Sequence, residues 1–183
     1  MTDAPAEYCF ILVSGPFSSG KSAFVELAGE VVAEDDSILT SIPDDFTLLR
    51  QGIRFGSQLK TDDISLFIMT TPNGQRFNFM WDAAASGRLI GYIVLLDSRK
   101  PINFREARSI LETFRAYLPM PCVVAANFQD SPDAWDSDSL HALMRLPDDI
   151  PVVPCVATDK ESVKQVLIAL LEKVIEAIDA PDG

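Results

Sequence analysis

The chain has 183 residues, of which 48% are apolar and 23% charged, and its formal net charge is −12. This is the composition of one globular domain large enough for a full core, not of a disordered chain. The negative charge argues against nucleic acid or an anionic membrane as a general partner, and it requires any anion site to be made positive locally.

The first apolar run, YCFILVS at residues 8–14, reads as a strand. GPFSSGKS follows at residues 15–22 and fits G-x-x-x-x-G-K-[ST]. Phe24, Leu27, Ala28 and Val31 then recur at helical spacing. Strand, glycine loop and helix, in that order, are the context in which this pattern holds phosphate. Glycines take backbone angles that other residues resist, the N–H groups turn inward, and the helix adds its positive end. The expected phosphate contacts are Gly15, Pro16, Phe17, Ser18, Ser19, Gly20, Lys21, Ser22 and Ala23. Lys21 is expected to bridge the β- and γ-phosphates, with the Ser22 hydroxyl on Mg²⁺.

Residues 33–46 read as a polar loop. TLLRQGIRFGSQL and ISLFIMTT are β-rich runs separated by KTDD, which suggests an antiparallel hairpin. TPNGQRF is turn chemistry, and NFMWDAAAS reads as a short helix ended by Gly87. LIGYIVLLD, residues 89–97, is a continuous apolar run suited to a strand buried on both faces. The next helix places Phe104, Ala107, Leu111, Phe114 and Leu118 on one stripe, and Asn103 with Glu106 suggests a capping box at its start. PCVVAAN is a second buried strand, followed by a polar loop and a short helix at residues 140–144. IPVVPCVA is the last strand. The final helix carries Val163, Val166, Leu167, Leu170, Leu171, Val174 and Ile178, with Thr158 and Glu161 as the expected cap and box. This alternation predicts one α/β domain over residues 1–183, a parallel doubly wound sheet with polar, disordered ends at 1–7 and 180–183. Its ligand is expected beyond the carboxyl ends of the strands, after Ser14, Thr70, Asp97, Ala126 and Val156.

Cys9, Cys122 and Cys155 all fall in apolar runs and match no zinc spacing, so buried reduced thiols and a cytoplasmic setting are expected. No apolar run is long enough to span a bilayer, and no secretory or lipidation pattern is visible, so no direct membrane anchor is expected. His141 has no second histidine or cysteine near it, and Asp133, Asp136 and Asp138 lack calcium-loop spacing. Phe77, Phe79, Met80 and Trp81 read as residues packed under the sheet edge, or alternatively as a partner surface.

NFQD, residues 127–130, ends a strand on the ligand side. A carboxylate at Asp130 can accept from N1–H and the 2-amino group of guanine, a donor pair that adenine lacks; an ordinary Asn/Asp turn is the simpler alternative. Base contacts are therefore expected from Asn127, Phe128 and Asp130, and from backbone N–H groups at Ala157 and Thr158 toward the guanine O6.

GPFSSGKS, TTPNGQRFNFMW, IVLLDSRKP, VVAANFQD and PCVATD together resemble the Ras-like small GTPases. The nearest branch is the prokaryotic one that includes the gliding-motility and conservon GTPases. The resemblance spans nearly the whole chain. It implies a three-layer P-loop NTPase fold, with a six-stranded mostly parallel sheet, one antiparallel strand and helices on both faces. It implies GTP/GDP and Mg²⁺ as ligands, Gln75 as the catalytic residue that orients the attacking water, and a Roadblock-type protein as partner and activator. A switch I threonine would join Ser22 on the metal. Thr40 lies at about the usual distance from Lys21, and Ser41 and Thr47 are alternatives.

The chain departs from the family at several points. No Asp stands near Thr71, Asn73 lengthens the T-P-G-Q form, Phe128 replaces a common lysine, and Arg54 precedes the Phe-Gly of the second strand. Arg76 is either a stabilising arginine in cis or a surface ion-pair partner. Three functions stay open: a GTP-driven switch with slow hydrolysis, a hydrolysis-deficient scaffold, and an ATP-dependent P-loop enzyme in which Asp97 would hold Mg²⁺.

Overall fold

The computed structural model describes residues 7–30, 55–60, 64–70 and 87–180. In chain order the elements are β1 (Glu7–Ser14), α1 (Lys21–Glu30), β2 (Phe55–Lys60), β3 (Ile64–Thr70), β4 (Leu89–Asp97), α2 (Pro101–Tyr117), β5 (Cys122–Asn127), α3 (Ser137–Met144), β6 (Val152–Pro154) and α4 (Lys160–Asp179). Both ends expected to be disordered are ordered one residue further than that, since Glu7 opens β1 and Ala180 caps α4. The expected helix at 78–86 and loop at 33–46 lie outside the described residues.

Five strands run parallel in the order β3-β1-β4-β5-β6, and β2 lies antiparallel against β3 at one edge. Alternate side chains of each central strand point to opposite faces. Phe10 and Leu12 of β1, with Tyr92, Val94 and Leu96 of β4, pack under α2 and α3. Ile11 and Val13, with Ile93 and Leu95, pack under α1 and α4. Two cores therefore sandwich one sheet, which explains why β4 reads as an unbroken apolar run. The small side chains of Ala125 and Ala126 on β5 are fully buried, one in each core.

α2 buries the expected stripe of Phe104, Ala107, Leu111 and Phe114. Its start differs from the capping-box reading. Lys100 is the N-cap, it makes no side-chain cap, and Pro101 opens the helix with the φ that proline presets. Asn103 is instead buried one turn in, and its Oδ1 accepts the Asp97 N–H at 3.1 Å. In α4 the cap likewise moves by one residue: Asp159, not Thr158, accepts the Ser162 N–H at 2.8 Å. An aspartate outcompetes the neighbouring threonine as a cap because its carboxylate is the stronger acceptor beside the helix dipole. The apolar stripe of α4 also ends early, and Ile178 is exposed.

Parallel strands bring their carboxyl ends to one edge, with Asp97 level with Asn127 and Ala126 level with Pro154. The chain runs from β1 to β3 on one side and returns to β4 on the other. Such a reversal of strand order opens a crevice beyond the end of β1.

Candidate functional site

The loop after β1 leaves the sheet at that point. Gly15 has φ +148° and Gly20 φ +97°, conformations that L side chains avoid. Space forbids a side chain as well. A Cβ on Gly15 would stand 2.0 Å from the Leu95 carbonyl oxygen, and one on Gly20 would stand 2.2 Å from Asn127 Nδ2. Pro16 and Ser19 are buried in the loop, whereas Phe17 is 73% exposed at its tip. Ser18 takes φ +58° without being glycine.

α1 begins at Lys21, and the Phe24 N–H is the first to close on a carbonyl behind it, that of Gly20 at 2.9 Å. The N–H groups before it have no partner within the helix and carry its positive end. Lys21 Nζ donates to the carbonyls of Gly15 at 2.8 Å and Pro16 at 2.6 Å, so the loop curls around the ammonium group. Burial lowers the Lys21 pKa. Ser22 stands exposed at the helix start. This donor set fits a phosphate chain: a cation and a helix N-terminus, whose first N–H groups have no partner within the helix, converge on one loop. A hydroxyl oxygen at Ser22 fits Mg²⁺, which takes oxygen ligands. Ser19 Oγ is buried with no hydrogen-bond partner among the described residues.

Asn127 joins the loops. It is buried at the end of β5. Its Nδ2 donates to the Ser19 carbonyl at 2.9 Å, and its Oδ1 accepts from Phe128 N–H and Ala157 N–H, each at 2.8 Å. One side chain thus ties the loop after β1 to the loops after β5 and β6. From the sequence, Asn127 was expected to contact the base; its bonds in the structure are these internal ties. The Ser98 hydroxyl also donates to the Asn127 carbonyl.

Asp97 ends β4 and is fully buried. It accepts from Arg99 Nε at 2.8 Å, Arg99 Nη2 at 2.9 Å and the Arg99 backbone N–H at 3.1 Å, and Lys100 Nζ lies 3.1 Å away. Burial pulls its pKa up, but the Arg99 and Lys100 hydrogen bonds overcome this and hold it at about 2. Its oxygens are taken by the turn it caps, which leaves them poorly placed for the Mg²⁺ role that an ATP-type reading requires. Sequence reasoning missed the Arg99 contact with Phe128: the guanidinium carbon sits 3.8 Å from the ring centroid. The signal was DSRK, a strand-end carboxylate followed after one serine by two cations.

Asp130 and Thr158 are exposed in the turns after β5 and β6, while Ala157 is buried. Phe128 is half-buried, and its N–H donates to Asn127 Oδ1. Gln75, Arg76, the three switch I candidates and the 77–81 aromatic stretch lie outside the described residues. Among the described residues no His, Cys, Asp or Glu cluster is arranged to hold a metal ion, and no helix is long and apolar enough to cross a membrane. None of the three cysteines is in a disulfide; Cys122 and Cys155 are buried and Cys9 is half-buried. Comparison with protein-family models and with curated proteins finds no match.

Proposed function

We propose that the chain is a Ras-like P-loop protein that binds GTP and GDP with Mg²⁺ and hydrolyses GTP slowly without a partner. One observation carries the reading: Asn127 connects the loop that curls around Lys21 to the two loops where a base would lie. A nucleotide is the ligand that has a phosphate chain at one end and a base at the other. The parallel sheet between two helix layers, with the loop at its switch point, supports the same reading.

In this scheme Lys21 swings its ammonium group from the Gly15 and Pro16 carbonyls onto phosphate oxygens, and the first N–H groups of α1 hold the rest. Ser22, with Thr40, would hold Mg²⁺, which neutralises charge on the β- and γ-phosphates when bound. Asp130 selects guanine by accepting its N1–H and amino protons. Gln75 orients the attacking water. Hydrolysis needs little beyond positioning and charge neutralisation, and the chain departs from the family around Gln75, so cleavage near or below roughly 10⁻⁴ per second is expected for the isolated protein. A Roadblock-type partner is the activator that the resemblance implies.

The deciding experiment titrates GDP and ADP into the parent and into Asp130→Asn. Guanine preference that collapses in the variant supports the reading, and equal binding of ADP and GDP by the parent overturns it. Single-turnover hydrolysis of parent and Gln75→Ala then separates an enzyme from a scaffold. Equal rates in the two would favour the scaffold.

A further inference from the structure

We propose that Arg99 is a positioning residue for the base, bracing one face of Phe128 so that the other face stacks on the purine. This rests on the nucleotide reading above and adds a division of labour: Arg99 and Phe128 supply affinity for any base, and Asp130 alone chooses guanine.

Three observations carry it. First, Phe128 is held where an aromatic residue does not settle unaided. Its φ is +69°, a region costly for a bulky side chain, and its N–H is pinned by Asn127 Oδ1. Second, the ring serves neither core. It is half-buried at the mouth of the site and belongs to neither apolar cluster among the described residues. Third, the guanidinium over it is fixed in orientation. A capped turn at Asp97 needs only the backbone N–H and a cation. Here Arg99 grips both carboxylate oxygens, at 2.8 and 2.9 Å, which sets the plane of the guanidinium before it meets the ring at 3.8 Å. Lys100 helps to neutralise the same carboxylate, so charge balance does not require Arg99 to be planar or bidentate.

A phenyl ring has two faces, and Arg99 covers one. The other is a stacking platform, and stacking accepts every base because every base has a π-face. The ring is thus in place before the ligand arrives, which spares the ordering that binding would otherwise require.

The test is calorimetry on the full chain with GDP, ADP and tripolyphosphate in Mg²⁺, using the parent, Arg99→Lys, Phe128→Leu and the double variant. Arg99→Lys keeps a cation for Asp97, and Phe128→Leu leaves the Asp97 pair untouched, so both should fold. Each is expected to weaken GDP and ADP by the same factor, about tenfold. The GDP-to-ADP ratio and tripolyphosphate binding should stay unchanged, the double variant should be no worse than Phe128→Leu, and Phe128→Tyr should restore affinity. Unchanged GDP affinity in either single variant, losses that multiply in the double, or a parallel loss of tripolyphosphate overturns the inference while leaving the nucleotide reading intact. A parent that binds GDP no more tightly than tripolyphosphate overturns both.

Discussion

Asn127→Ala tests the junction on which the site depends. The substitution removes three hydrogen bonds, from Nδ2 to the Ser19 carbonyl and to Oδ1 from the N–H groups of Phe128 and Ala157. Each contributes about 1 kcal/mol net, and two of the orphaned partners, at Ser19 and Ala157, are too buried to find water easily. The expected loss is therefore about 3–4 kcal/mol, a large part of the roughly 5–15 kcal/mol that stabilises a typical domain. For a chain of this size that lowers Tm by roughly 6–16 °C. Asn127→Asp sharpens the test. It keeps an acceptor for Phe128 and Ala157 but sets a carboxylate against the Ser19 carbonyl. It should spare the loop after β6 and loosen the loop after β1, which hydrogen exchange at residues 15–22 would register. Urea unfolding measures the total. A midpoint for Asn127→Ala that gives a loss within about 0.5 kcal/mol of zero, the range of neutral surface changes, would refute the junction.

Asp97 is held below the ordinary carboxylate value of 3.8, at about 2, so its ion pairs stabilise fully above about pH 4 and fade as pH falls through 2. Arg99 and Lys100 are 34% and 52% exposed, so solvent screening trims the gain to about 1–2 kcal/mol. Urea unfolding of parent and Asp97→Asn should differ at pH 7 and converge toward pH 2.5, and a gap that holds across this range would exclude the carboxylate as its source. Ser19→Ala removes a buried hydroxyl that has no partner among the described residues and should raise stability by about 1 kcal/mol; a lower Tm would show that the hydroxyl is bonded. Gly20→Ala should cost about 2 kcal/mol or more and weaken the nucleotide binding proposed above, because φ is +97° and the new Cβ meets Asn127 Nδ2 at 2.2 Å. Gly87→Ala, at φ +69° with nothing within 4 Å, should cost only about 1 kcal/mol in the same unfolding assay; equal losses would deny the contact its role.

Much of this site is legible in one dimension because its signals are local. The glycines at 15 and 20 are dictated by backbone angles, Lys21 and Ser22 follow from the helix that begins there, and the runs at 89–97 and 122–127 announce strands buried on both sides. Periodicity likewise exposed the buried stripe of α2. The helix caps misled because several nearby polar residues can each satisfy the same N–H groups. Whether Asn103 caps α2 or reaches Asp97 depends on where β4 ends in space. The longer-range choices required the folded chain. Asn127 and Ser19 are 108 residues apart and meet only because β5 lies two strands from β1 with its carboxyl end at the same edge. Asp97 could have been a metal ligand or a turn cap on sequence grounds; Arg99 and Lys100 folding back onto it made it a cap. The stacking of Arg99 on Phe128 is of the same kind. A hydrogen bond or ring contact between distant residues leaves no period or spacing in the chain, because its partners are chosen by strand order and not by sequence separation.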